Sequence, residues 1–354
     1  MKKTLLLLSL LLSASAHSGA ENRLTVEEFA IKAGETEKAV NIILENDESF
    51  TAVEFVLWLP DGVTIMSEGD NYFVLGNDDR LKQKSGWTTY THSVNVNRQE
   101  NGSYKFLIYS GDSKDIVGDS GTQLLTMGLM ASDEVSTGEQ TVRIENLKLA
   151  RSNATAVYPA DASFNCTVSI DVPVSAAGYA TFSWPRALDF AESGVEAYIA
   201  KGDFMTTGKV SLVQVTKVPA NTGVVLKGSE GTYHPQTTDA AATDDVSGNQ
   251  LVSTASGEVA VSSDGFLALG NKGGTVGFYM VNSSTGLKIP QYRAYLQGGA
   301  NGSRQFVAFR DEVTAVSGVT ASTAAAGLYT LSGQRVVKTR RGLYVSSGKK
   351  IVVK

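Results

Sequence analysis

Thr51-Ala52-Val53-Glu54-Phe55-Val56-Leu57-Trp58-Leu59-Pro60 is the most regular stretch of the chain. Val53, Phe55, Leu57 and Leu59 recur with period two and share one face of an extended strand, while Ala52, Glu54, Val56 and Trp58 share the other. The four large apolar side chains belong in a core, and a one-residue slip would expose them all together, so this register is strongly fixed. The opposite face then carries an outward Trp58, which is unusual for so large an apolar side chain. Pro60-Asp61-Gly62 ends the strand as a turn.

The same grammar extends to both sides. Leu24 to Ile31 reads as a first strand ended by Ala33-Gly34, and Val40 to Leu44 as a second, followed by the polar turn Asn46-Asp47-Glu48. Thr88 to Asn97, Tyr104 to Ser110, Leu124 to Ala131 and Thr141 to Leu149 read as further strands. Phe164, Cys166, Val168 and Ile170 alternate with polar residues, which places Cys166 inward as a small buried hydrophobe. Many short strands with Gly, Asn and Asp turns, and no amphipathic helix between them, predict an all-β protein whose residues 21–172 form a β-sandwich.

Residues 173–312 form a second β-rich region, with strands expected at 195–200, 209–218, 222–227, 265–269 and 277–281. The Thr-, Ser-, Ala- and Asp-rich segment 235–262 is expected to include a long exposed loop. Residues 313–326, small and polar, read as a linker. Residues 327–354 carry three short apolar runs around Gly-centred turns, a short β tail too small for a robust independent fold.

Composition narrows the function. The 354 residues hold 35 Gly, 7 Pro, 3 His and 1 Cys, with a formal net charge of −5. No basic field awaits nucleic acid. One Cys excludes an intrachain disulfide, and so few His and Cys exclude the usual zinc patterns. Residues 1–20 read as a cleaved secretory signal: Lys2 and Lys3, then the apolar run Leu5 to Leu12, then a cleavage site at Ala14-Ser15-Ala16 or at Ser18-Gly19-Ala20. That run is shorter than a membrane span requires, and no later stretch is apolar enough to span. The expected location is therefore extracellular or on the outer-membrane surface.

Residues 24–170 resemble the cohesin-like family of nine-stranded β-sandwich modules. The resemblance rests on Phe29-Ala30-Ile31-Lys32-Ala33-Gly34-Glu35, on Val40 to Leu44, on Thr51 to Pro60, and on Lys105 to Ser110 followed by Gly121 to Met130. It implies a protein-interaction module whose sheet face, on the strand matching Thr51–Leu59, receives a dockerin-like partner. Residues 177–312 resemble a β-rich unit recurrent in exported proteins of the Bacteroidetes, through Gly178-Tyr179-Ala180-Thr181-Phe182 and Pro219 to Gly228. Residues 328–354 resemble the C-terminal sorting tails of that phylum, which in some members direct export by type IX secretion.

Catalysis finds little support. A serine hydrolase needs a His as general base. His17 lies beside the signal cleavage site, His92 in a strand and His234 in a loop before Pro235. No Gly-x-Ser-x-Gly elbow occurs. Glycoside hydrolysis needs two carboxylates across a cleft. Of Glu54, Asp70, Asp78, Asp79, Asp112, Asp115 and Asp119, all but Glu54 fall in turn-like stretches that suit local turn hydrogen bonds. Asp112, Asp115 and Asp119 lack the spacing and glycine of a calcium loop. The expectation is an exported, monomeric, non-catalytic protein without cofactor or bound metal. Glu54, Trp58 and Tyr109 are its candidate binding residues, the last assigned to the same outward face. Its partner is a dockerin-like protein segment or, alternatively, a glycan stacking on exposed aromatics in polysaccharide use.

Overall fold

The computed structural model describes residues 22–69, 71–72, 74–77, 79–83, 89–261, 265–281, 286–298, 304–310, 329–330, 342–346 and 349–353. The signal segment 1–20, with His17, lies outside them, as do the linker 313–326 and Asp70 and Asp78. The chain divides into two compact units, Met1–Arg310 and Asp311–Lys354.

The fold is all-β. At the start of the first unit two sheets face each other. One has five strands: Arg23–Val26, Lys38–Asn46 and Asp119–Ala131 in order, with Val63–Ile65 and Val74–Asn77 both paired to the last. The other has seven: Phe29–Lys32, Ala162–Ser169, Gly138–Ala150, Ala52–Trp58, Tyr104–Tyr109 and Ser93–Arg98 in order, with Ala156–Val157 paired to Gly138–Ala150. This is the expected sandwich.

Ala52–Trp58 lies near the middle of the seven-stranded sheet, between Gly138–Ala150 and Tyr104–Tyr109. Its burial alternates as the sequence requires, with Val53, Phe55 and Leu57 fully buried. Phe55 stacks on Phe106 of the next strand, ring centroids 4.6 Å apart and planes 10° apart. Leu59, just past the strand, packs half-buried against the same core. Tyr104 ties the two sheets, its hydroxyl accepting the Ile65 N–H at 3.4 Å.

Leu24 to Ile31 is not one strand. The chain leaves the first sheet after Val26 and enters the second at Phe29, where it runs parallel to Ala162–Ser169. Glu27 and Glu28 at the crossing are exposed. Inward residues change from even positions (Leu24, Val26) to odd (Ile31), a phase shift that one straight strand cannot accommodate. The crossing is held by the Glu27 N–H donating to the Asn41 carbonyl at 3.0 Å, and by Asn41 Nδ2 donating to the Glu27 carboxylate at 2.8 Å. The Thr88–Asn97 expectation resolves to Ser93–Arg98; Thr88 itself lies outside the described residues.

Beyond Ser169 a nine-stranded sheet follows, running from Tyr179–Phe182 at one end to Leu251–Ser253 at the other. The segment 235–262 includes the expected loop, since residues 238–250 hold no strand and none is buried, but its later part is packed. Leu251, Thr254, Ala255 and Val261 are buried, and Leu251–Ser253 is the sheet's last strand. Its small, polar composition hid this because hydrogen bonding does the anchoring: Thr254 Oγ1 donates to the Pro290 carbonyl at 2.8 Å and accepts the Arg293 N–H at 2.8 Å.

The turn after Ala131 joins the two halves of the unit. Tyr292 donates its hydroxyl to Asp133, and Arg186 donates to the Glu134 carbonyl at 2.6 Å. The Thr137 and Thr237 N–H groups each donate to the other's hydroxyl, at 3.0 and 2.7 Å. In the second unit, Tyr329–Thr330, Gly342–Ser346 and Lys349–Val353 form a three-stranded antiparallel sheet.

Candidate functional site

The outward face of the seven-stranded sheet follows from its register. Along Ala52–Trp58 it carries Ala52, Glu54, Val56 and Trp58. Opposite them on Tyr104–Tyr109 stand Tyr109, Leu107 and Lys105, each directly facing Ala52, Glu54 and Val56 in turn. On the other side, Gly138–Ala150 sets Arg143 opposite Trp58 and Glu145 opposite Val56. A register shift then brings Lys148 opposite Glu54. Asn146 sits at that shift with φ +57° and donates its N–H to Asp161 at 2.8 Å. A β-bulge of this kind re-aims side chains on the bulged strand.

Trp58 is half-buried, and its neighbours fix it in place. Its indole N–H donates to Glu145 Oε2 at 2.8 Å. The Arg143 guanidinium lies over its ring, 5.1 Å from the centroid, and Arg143 Nε stands 3.5 Å from Glu145 Oε1. Charge and ring together hold Trp58 in one orientation at the surface. Glu54 pairs with Lys105 at 3.0 Å, a diagonal contact across the strand pair. Both are well solvated, so this pair contributes little to stability.

Tyr109 is exposed and lies on the same face. The structure does not gather the three predicted residues into one pocket. Tyr109 is opposite Ala52, at the far end of the strand from Trp58. At about 3.3 Å per residue this separates them by roughly 20 Å. They mark the two ends of a platform whose middle is Val56, Leu107 and the Glu54–Lys105 pair. Sequence reading found one strand of this platform and part of a second. It missed Arg143, Glu145 and Lys148, although Thr141 to Leu149 carries the alternation that sets Val142 and Ile144 inward and Arg143 and Glu145 outward.

The other candidates are dispersed. His92 is buried just before Ser93–Arg98, with Nδ1 2.9 Å from the Thr91 hydroxyl, and burial lowers its pKa. His234 is on the surface beside Asp171, its Nδ1 3.1 Å from the Ile170 carbonyl. Asp112 and Asp115 are exposed. Cys166 is buried, as its alternation predicts, and burial pushes its thiol up to about 11. That keeps it protonated and unreactive at neutral pH. Among the described residues no group of three His, Cys, Asp or Glu is placed to hold a metal ion, and no helix is long and apolar enough to cross a membrane.

No family model and no curated protein matches the chain. Among solved structures it is similar to a type I cohesin in a cohesin–dockerin complex from Clostridium thermocellum, at 14% identity over 42% of this chain and 98% of that one, TM-score 0.33. It is similar also to a cohesin module of a family 33 glycoside hydrolase from Clostridium perfringens, at 11% identity over 43% and 99%, TM-score 0.32. A non-cellulosomal cohesin from the archaeon Archaeoglobus fulgidus is similar at 12% identity over 42% and 92%, TM-score 0.31.

Proposed function

We propose that this is an exported, non-catalytic surface or secreted protein that docks a protein partner on the outward face of its seven-stranded sheet. The observation that carries this reading is the fixed Trp58. It is braced by Glu145 and Arg143 at one end of a platform that mixes apolar side chains with paired charges. An anchored aromatic loses little conformational freedom on binding, and Trp and Arg are the residue types most enriched at interaction hot spots. The sequence resemblance of residues 24–170 to cohesin-like modules makes a dockerin-like segment the partner class. A sugar is the poorer fit, because a stacking glycan needs an open ring face and Arg143 lies over this one. Export rests on the signal segment 1–20, and surface retention or release on the tail 327–354.

The test is binding of the full chain to dockerin-type segments encoded in its genomic neighbourhood, measured by interferometry. Trp58→Ala and Leu107→Asp are each expected to weaken binding tenfold or more with the fold retained. A glycan-array signal lost in the same two variants, with no protein binding, would refute the reading in favour of sugar.

A further inference from the structure

The nine-stranded sheet nearly closes on itself. Beyond its first strand, Tyr179–Phe182, the chain meets the entry to Ala294–Gln297: the Ser183 N–H donates to the Tyr292 carbonyl at 3.2 Å, and its hydroxyl to the Arg293 carbonyl at 2.7 Å. Closure stops there. Tyr179–Phe182 is a terminal strand of its sheet, paired to Val224–Lys227. On the facing side, Leu269–Lys272 pairs with Thr275–Phe278 after its neighbour Ala294–Gln297 has run out. A cavity of about 530 Å³ opens between the two edges, a size that suits a small ligand.

The walls are mainly apolar, with Val174, Tyr179, Leu269, Val276 and Ile289 among them, and among the described residues no Asp or Glu lines the cavity. Two cations do. Lys288 is paired with Glu258. Arg293 is half-buried and donates Nη1 to the Thr181 carbonyl at 3.3 Å, and among the described residues no carboxylate pairs with it. Its donors face the Thr181 carbonyl with donor capacity left over, which an anion entering the cavity can accept. The planar guanidinium fork matches the paired oxygens of a carboxylate or a phosphate, and the apolar walls suit a head group that carries an apolar body.

We propose that this cavity binds a small amphipathic carboxylate, with its head group on Arg293 and its apolar body along the Leu269 and Ile289 walls. This site is separate from the docking platform and stands or falls independently of it. The test uses the full chain and sodium decanoate as probe, with decan-1-ol as the uncharged control, followed by calorimetry. Decanoate is expected to bind saturably at one site, and Arg293→Gln to weaken it at least tenfold while leaving decan-1-ol unaffected. Ala177→Trp adds bulk to the cavity lining without removing a charge and is expected to abolish binding of both, which serves if Arg293→Gln does not fold. Absence of saturable decanoate binding, or equal affinity in either variant, would overturn the proposal.

Discussion

Phe55 and Trp58 lie on one strand and face opposite ways, so their truncations must separate stability from recognition. Phe55 is fully buried and stacked on Phe106 at 4.6 Å. Removing such a ring leaves a cavity between the sheets and costs about 3–5 kcal/mol. Trp58→Ala loses a hydrogen bond to a carboxylate and a guanidinium stacked on its ring, both at a half-open surface. Arg143 and Glu145 keep each other and water as partners afterwards. The loss is then about 1–2 kcal/mol. Native-state amide exchange along Tyr104–Tyr109, which pairs with Ala52–Leu57 of the strand carrying both residues, reads these values in the full chain. Protection is expected to fall roughly a hundred- to several-thousand-fold in Phe55→Ala, and about five- to thirtyfold in Trp58→Ala. If Trp58→Ala unprotects the strand as severely as Phe55→Ala, then Trp58 is a packing residue and the platform is not a docking site.

Two further outcomes follow from buried groups outside the platform. Burial lowers the His92 pKa, so the unfolded chain takes up a proton more readily than the folded one. Stability should therefore decline as pH falls from about 6.5, the ordinary histidine value, towards the lower folded value. Melting temperatures at pH 7.5 and 5.5 should differ less in His92→Leu than in the parent, and an equal difference would refute this. Gly277 has no room for a side chain: a Cβ there would stand 2.4 Å from the Phe306 ring and 2.8 Å from the Val307 carbonyl oxygen. Gly277→Ala should displace Phe306 from its contact with Tyr279 and cost about 1–3 kcal/mol, and an unchanged melting temperature would contradict it.

The strand that fixes the fold was legible because period two is a local property. Val53, Phe55 and Leu57 had to be inside, and Trp58 had to be outside, before any partner strand was known. What surrounds Trp58 was not legible. Arg143 and Glu145 lie more than eighty positions away, and only the pairing of Gly138–Ala150 with Ala52–Trp58, including its bulge at Asn146, brings them there. Leu24 to Ile31 was misread because its two halves look equally strand-like; only the change of inward phase across Glu27-Glu28 marks the crossing between sheets. In the segment 235–262 the exposed loop was legible, but the buried part after it was not, for a different reason. Thr254 is held by hydrogen bonds rather than apolar bulk, so its burial leaves no hydrophobic signature. The Arg293 cavity gives no local signal at all, since its walls come from positions 173–181, 268–281 and 287–294.

The same topology explains how the proposed docking face sits beside a second β-rich half in one compact unit. Attachment uses the turn that begins after Ala131, through Asp133, Glu134 and Thr137. That turn leads into Gly138–Ala150, and Arg143, the residue facing Trp58, comes five positions into the strand from Gly138. At about 3.3 Å per residue, the attachment at Thr137 ends roughly 20 Å before Arg143. The contacts that fix Trp58 come from Arg143 and Glu145, on its own sheet, rather than from the second half. These hydrogen bonds hold the sandwich at this end, while the face of its central strands keeps its side chains directed outward.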